Sequence, residues 1–290
     1  MNRKFACLTL DMEADYGDPN GRIRLLEIPE YFERYTTTIN KHNAKVTMFT
    51  VTSLFERFGK DFERLGKHIP LEYAAHSYSH DPLKAATREE VEKSAQVMKR
   101  VNGSGPLGYR APIGQITKDG LGHLLDLEYD YDASLYTSIR PGKFGYANLH
   151  MPNSPFRIVR GDESLIEFPF TSLSGVRIVF GLSYIKLFGW GLYSGLWRAF
   201  GLPEITLALS HPHDFYFHLL ANFHPPSLEK LALSRNAKQA FEYYDKMVTE
   251  LERQGYEFAF VSEVFEQVQS VPGLQERAVA DWNMKRSTPV

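Results

Sequence analysis

The chain has 290 residues, 43% of them apolar and 23% charged, which suits one large α/β domain and excludes a small disulfide-stapled fold or a disordered chain. Lys and Arg number 33 against 35 Asp and Glu, and a net charge of −2 gives no electrostatic footprint for nucleic acid. The single cysteine, Cys7, excludes a disulfide framework and a multi-cysteine zinc site.

Met1-Asn2-Arg3-Lys4 is followed by the apolar run Phe5–Leu10, which is too short for a signal peptide and leads into Asp11, Glu13, Asp15 and Asp18, so a cytoplasmic setting is expected. That run reads as the first strand. Ile28, Tyr31, Phe32 and Tyr35 share one helical face, which predicts a helix over 28–41. Residues 44–51 are β-branched and aromatic and predict a second strand. Residues 53–65 are again helical, and 71–75 form a third predicted strand that runs straight into His76. Thr87 with Glu90 three residues on is a capping-box pattern that opens a helix to about Arg100. Predicted strands at 108–110 and 129–134 flank a helix over 117–125. Further strands are predicted at 165–168, 205–210 and 258–261, with a long helix over 236–254.

Such alternation over one domain's length implies a mainly parallel sheet. Asp11, His76, Arg110, Asp132 and His211 fall at or just after strand ends, where a (β/α) barrel carries its chemistry. One domain over 1–270 is expected, with 271–290 a loosely held tail. The stretch Ile178–Trp197 is apolar, with Lys186 its only charge and with four glycines, Trp190 and Trp197. Its length would suit a membrane span, but Lys186 and the glycines argue against one. Two readings stay open for this insertion at about 172–202: a cover folded over the barrel mouth, or a lobe whose residues 178–197 touch a membrane surface or lipid tail.

His76-Ser77-Tyr78-Ser79-His80 spaces two imidazoles four apart, and on one helical turn both could reach one metal ion. Alone the pair is a modest signal; its place at a strand end strengthens it. A three-ligand catalytic site also needs an anionic oxygen. Asp11 and Glu13 point to the same side of an extended chain, so one could bind metal while the other accepts a proton from water. An idle acidic loop is the competing reading. Arg110 could hold a carboxylate through a bidentate pair, and Pro112 and Gly114 could aim the Ile113 N–H at an oxyanion, although many surface turns look alike. His211 or His213 could protonate a leaving amine. Asp132 could orient a histidine, bind substrate hydroxyls or simply cap a turn.

Together these pieces resemble the polysaccharide deacetylase (NodB-homology) family of carbohydrate esterases. The resemblance runs from Phe5 to about Val268. His76-x-x-x-His80 is similar to its H-[ST]-x-x-H motif, Arg110-Ala-Pro112-Ile-Gly114 to its R-x-P-x-G motif, and Ser210-His211-Pro212 to its late histidine motif. The resemblance implies a distorted (β/α)7-type barrel with a divalent metal, usually zinc. It implies His76 and His80 as metal ligands, Asp11 as general base, Arg110 as its tether, His211 as general acid and the Ile113 amide as oxyanion donor. Where many members carry adjacent aspartates, this chain has Asp11-Met12-Glu13. Glu13 is therefore the candidate metal carboxylate, with exchanged roles of Asp11 and Glu13 left open. Asp132 is the nearest match to the aspartate that partners the catalytic histidine.

The implied reaction is removal of an N-acetyl group from an amino sugar of a glycan, with release of acetate. The segment 144–155, Ile166–Phe170 and the Gly/aromatic stretch look like a subgroup tied to exopolysaccharide assembly, which makes a lipid-linked saccharide an attractive substrate. The alternatives are a deformylase or cyclic-amide hydrolase on the same metal site, or an inactive glycan-binding barrel.

Overall fold

Alternation along the first strand organises the molecule. In β1 (Lys4–Met12), Ala6, Leu8, Leu10 and Met12 face an outer layer of helices, while Phe5 and Cys7 belong to a separate cluster with Phe49, Ala74, Tyr131, Phe168 and Leu207 from other strands. Successive side chains point to opposite faces of a sheet, so Thr9 and Asp11 share the inner side with Phe5 and Cys7. The apolar inner residues fill one end of the barrel, and the polar ones come toward the other. These relationships are seen in a computed structural model that describes residues 3–282 apart from 17, 19, 104, 106, 143, 217–230 and 232.

The strands that follow are β2 (Val46–Thr50), β3 (Leu71–Ala75), β4 (Gly108–Tyr109) and β5 (Tyr131–Asp132), then a separate hairpin of β6 (Ile139–Arg140) and β7 (Tyr146–Ala147). After it come β8 (Phe156–Arg160), β9 (Glu163–Glu167), β10 (Ile205–Ser210), β11 (Tyr256–Phe258) and β12 (Glu276–Ala278). The order β10-β1-β2-β3-β4-β5-β9 is parallel throughout, as the alternation predicts, and its seven strands match the (β/α)7-type barrel that the resemblance implies. Parallel neighbours need crossovers, and helices supply most of them. They include α1 (Arg24–Glu27), α2 (Pro29–Lys41), α3 (Phe55–His68), α4 (Arg88–Asn102), α5 (Lys118–Asp126), α6 (Leu182–Phe188) and α7 (Trp190–Phe200). Further helices span Ala240–Arg253 and Val261–Val268.

The barrel closes irregularly. β11 pairs Lys4–Ala6 and β2 pairs Leu8–Met12, so two strands share one edge of β1 while β10 takes the other. Between β9 and β10 the chain bridges through Thr171, whose hydroxyl accepts the Leu207 N–H at 2.8 Å, and through Phe180, whose carbonyl accepts the Leu209 N–H at 3.2 Å.

Three expectations are corrected. The apolar stretch is not a free lobe: α6 and α7 occupy the crossover between β9 and β10. Ile185, Tyr193 and Trp197 are fully buried in the main core with Phe180 and Ala208. Its hydrophobicity is core hydrophobicity, leaving Leu192 and Phe200 as the exposed large apolar residues of α7, and no helix of the described residues is long and apolar enough to cross a membrane. The segment expected as a loose tail adds β12 parallel to β8 and buries Val279 and Trp282 in the second core cluster; residues 283–290 lie outside the described residues. Finally, Val261 opens a helix rather than ending a strand, because the Glu263 carboxylate accepts the Phe260 N–H at 2.9 Å and starts the turn.

Candidate active site

Asp11 and Glu13 leave β1 on the same side, as alternation requires, yet they meet different partners. Asp11 Oδ1 accepts from Arg110 Nη1, and its Oδ2 lies 4.0 Å from His76 Nε2 and 3.9 Å from His211 Nε2. Glu13 Oε2 pairs with His80 Nε2, and its Oε1 lies 3.3 Å from His213 Nδ1. Burial by itself would raise Glu13, but the paired His80 imidazole above all holds it well below the usual carboxylate range.

His76 and His80 do not share a helical turn. Residues 76–80 form a loop in which Ser77 and His80 have φ of 58° and 63°, and this doubled reversal, rather than helical spacing, brings the rings to a centroid distance of 5.0 Å. The loop is tied down from several sides. The Ser77 carbonyl accepts the Thr52 N–H at 2.9 Å, and the Ser77 hydroxyl accepts the His80 N–H at 3.0 Å. Glu90 accepts the N–H groups of Tyr78 at 3.0 Å and Ser79 at 2.8 Å. The predicted capping box is therefore half formed: the Thr87 hydroxyl accepts the Glu90 N–H, while the Glu90 carboxylate serves the histidine loop instead of its own helix.

His76 Nδ1 donates to the Arg110 carbonyl at 2.9 Å, which fixes the tautomer and leaves Nε2 with its lone pair. Burial pushes this imidazole down to about 4, so it is neutral at ordinary pH. Ligand atoms of Glu13, His76 and His80 all lie within 4.8 Å of one another, and two imidazoles with a carboxylate are the donor set of a catalytic zinc site. The residues present thus fit a divalent metal. His211, His213 and Asp214 form a second cluster of this kind, but Asp214 is already engaged by the Lys186 ammonium, which would repel a cation. Glu90→Ala is expected to leave the barrel folded and weaken metal affinity about 10–100-fold, the usual cost of losing an orienting residue. Competition against a metallochromic chelator measures this, and an unchanged affinity would contradict the role given to Glu90.

Arg110 is fully buried, its guanidinium stacked 3.7 Å from the Phe49 ring centroid and 4.5 Å from that of Phe170. The expected bidentate pair is absent. Nη1 is divided between Asp11 and the Thr9 hydroxyl, and Nε donates to the Ala133 carbonyl at 3.1 Å, so the arginine braces β1 against β5 while holding one carboxylate oxygen. Three residues on, Ile113 sits at φ 55°, a costly conformation for a β-branched side chain. Gly114 follows at φ 67°, where a Cβ would come within 2.6 Å of the Ser134 carbonyl oxygen. The turn is thus built around a backbone reversal at the candidate oxyanion donor.

His211 ends β10 and reaches the same space. Its partner is not Asp132 but Asp214: the Asp214 Oδ2 accepts the His211 backbone N–H at 3.0 Å and Nδ1–H at 3.1 Å. Burial works against a charged His211, yet Asp214 pushes it up to about 9, which keeps Nε2 protonated near neutrality. Pro212 followed by Asp214 directly after a strand end is itself a helix-start pattern, so this acid had a local signal in the sequence. His213 stacks on His211 at 4.9 Å and is pushed down to about 4 by burial, so it stays neutral.

Asp132 faces elsewhere because strand alternation turns it there. Tyr131 and Ala133 lie in the inner cluster, so Asp132 takes the opposite face, beside Glu167 of the paired strand β9. It accepts the Ser134 hydroxyl at 2.6 Å. Burial, and then the adjacent Asp132, pushes Glu167 well above the carboxylate range, so the two acids hold a proton between them. The Ser134 hydroxyl in turn accepts the Ala111 N–H at 2.7 Å, which links the pair to the Ile113 turn.

Residues 2–131 match the family model for polysaccharide deacetylases. No curated protein sequence matches the chain. Among solved structures, a Mycobacterium smegmatis protein assigned as a polysaccharide deacetylase superposes with a TM-score of 0.60 at 16% identity, over 99% of this chain and 96% of that one. The Bc1960 peptidoglycan N-acetylglucosamine deacetylase gives 0.52 at 15% identity, over 91% of this chain and 89% of that one. A pseudoenzyme of carbohydrate esterase family 4 from Bacillus anthracis gives 0.51 at 14% identity, over 96% of this chain and 70% of that one. At such identities the likeness is one of fold.

Proposed function

We propose that this chain, whose residues 2–131 match the family model for polysaccharide deacetylases, hydrolyses the N-acetyl group of an amino sugar within a saccharide, releasing acetate. One observation carries the reading: a single oxygen of Asp11 lies 4.0 Å from His76 and 3.9 Å from His211, so base, metal ligand and acid converge on one small space. Glu13, His76 and His80 would hold the metal, with zinc the best match to two imidazoles and a carboxylate. Such an ion, when bound, polarises the acyl carbonyl and lowers the pKa of a water at its open position.

The chain's own residues do the rest. Asp11 accepts the proton of the attacking water, and Arg110 fixes its orientation through the opposite carboxylate oxygen. The Ile113 N–H, set by the reversed turn, donates to the oxygen that gains charge. His211, held by Asp214, delivers a proton from Nε2 to the departing sugar amine. This division makes Glu13 the metal carboxylate and Asp11 the base, because only Asp11 is tethered by a cation that leaves its second oxygen facing the site.

The substrate is proposed as an N-acetylglucosamine-type glycan, in line with the activity named for the Bc1960 protein. With Tyr193 and Trp197 buried, a lipid carrier finds less support in α6 and α7 than their composition suggested. The test is a panel of N-acetyl, N-formyl and cyclic-amide compounds, with the acetylated glycans offered both free and polyprenyl-linked. Acetate release is expected; formate or ring-opened product in its place would move the reading to the other amide hydrolases.

A further inference from the structure

We propose that Lys186, from the apolar crossover helix α6, is a positioning residue for the proton donor, acting through Asp214 on His211. The proposal rests on the amide-hydrolase reading above. Lys186 is the only charge in the stretch Ile178–Trp197, and it is fully buried. A buried ammonium is costly unless paired, and among the described residues its partners are both on Asp214: the backbone carbonyl at 2.8 Å and Oδ1 at 3.3 Å. The Ser183 hydroxyl, one turn earlier on the same helix, donates to the same Oδ1 at 2.6 Å.

The two oxygens of Asp214 are therefore divided. Oδ1 belongs to α6, through Ser183 and Lys186, and Oδ2 belongs to His211, through its backbone N–H and Nδ1–H. A carboxylate with two donors on each oxygen has little freedom to rotate, so the His211 ring is held with Nε2 toward Asp11. Lys186 is itself anchored, since the Asn236 side chain donates to its carbonyl at 2.7 Å. In the acid step the Nε2–H proton passes to the amine nitrogen as the carbon–nitrogen bond breaks and its electron pair goes to nitrogen, leaving the imidazole neutral. A tilted ring would slow that transfer and nothing else.

That selectivity supplies the test. Turnover of an N-acetylated glycan is compared with that of 4-nitrophenyl acetate, whose leaving group departs without a proton. Lys186→Met is expected to lower kcat on the amide by on the order of 10²-fold with little change in KM, and ester turnover by less than about threefold. Lys186→Arg should recover part of the loss. Ser183→Ala, which keeps the ammonium, should show a smaller loss confined to the amide, and this variant carries the test if Lys186→Met does not fold. Equal losses on both substrates, or none on the amide, would overturn the proposal. If the wild type turns over no amide, the reading of the reaction falls, and the proposal is judged by proton NMR. A low-field His211 Nδ1–H signal that shifts or vanishes in Ser183→Ala supports the lock, and one that stays unchanged overturns it.

Discussion

Asp11→Asn is expected to lower amide turnover by on the order of 10²-fold or more while metal stays bound, the scale of a lost general base. The isosteric amide still offers Arg110 an oxygen but cannot accept a proton. The substitution also removes the charge that faces a fully buried guanidinium, and breaking a buried pair costs about 3–5 kcal/mol when one charge is left alone. Stacking on Phe49 and Phe170 and the bonds to Thr9 and Ala133 remain, so the loss should fall at or below the lower end of that range. Initial rates, metal content and a denaturation midpoint on the same preparation separate the two effects. Near-wild-type turnover in a folded, metal-bound variant would show that Asp11 is not the base.

His80→Asn carries the second large effect. His80 lies in the left-handed region at φ 63°, which Asn tolerates far better than Ala, so the exchange isolates the imidazole from the backbone. With His80 gone, Glu13 loses its closest partner and the site keeps one imidazole and one carboxylate. Metal affinity is expected to fall by more than the roughly 10–100-fold that a supporting residue costs. Activity should fall with it and return in part at high metal concentration. Full affinity in this variant would remove His80 from the ligand set and leave the two-imidazole site without foundation.

What the chain order revealed, and what it hid, has physical reasons. Strong alternation and β-branched runs made β1, β2, β3 and β10 legible, and they place Asp11, His76 and His211 at one end of the barrel. β8 was missed although Gly161-Asp162 between two apolar alternating runs is a hairpin signal. The apolar stretch misled for a plainer reason. Hydrophobicity measures burial, and a crossover helix packed between β10 and Ala240–Arg253 is as apolar as one that meets lipid. Motif order points to Asp132 as the partner of His211, but it carries no information about which face of a strand a side chain takes. Asp214, three residues from His211, was the local answer. The convergence of Glu13 with His80 depended on two left-handed residues that no periodicity announces.

Metal-dependent amide hydrolysis at Asp11, Glu13, His76, His80 and His211 is what the proposed function stands on. The most direct test measures metal content and acetate release on one preparation of the wild type, before and after chelation and after zinc is returned. One divalent metal per chain, acetate release that disappears on chelation, and recovery with zinc are expected. Acetate release indifferent to chelation would contradict the proposed function. Silence from a preparation that binds no metal would instead make the chain a glycan-binding barrel with the fold of a deacetylase.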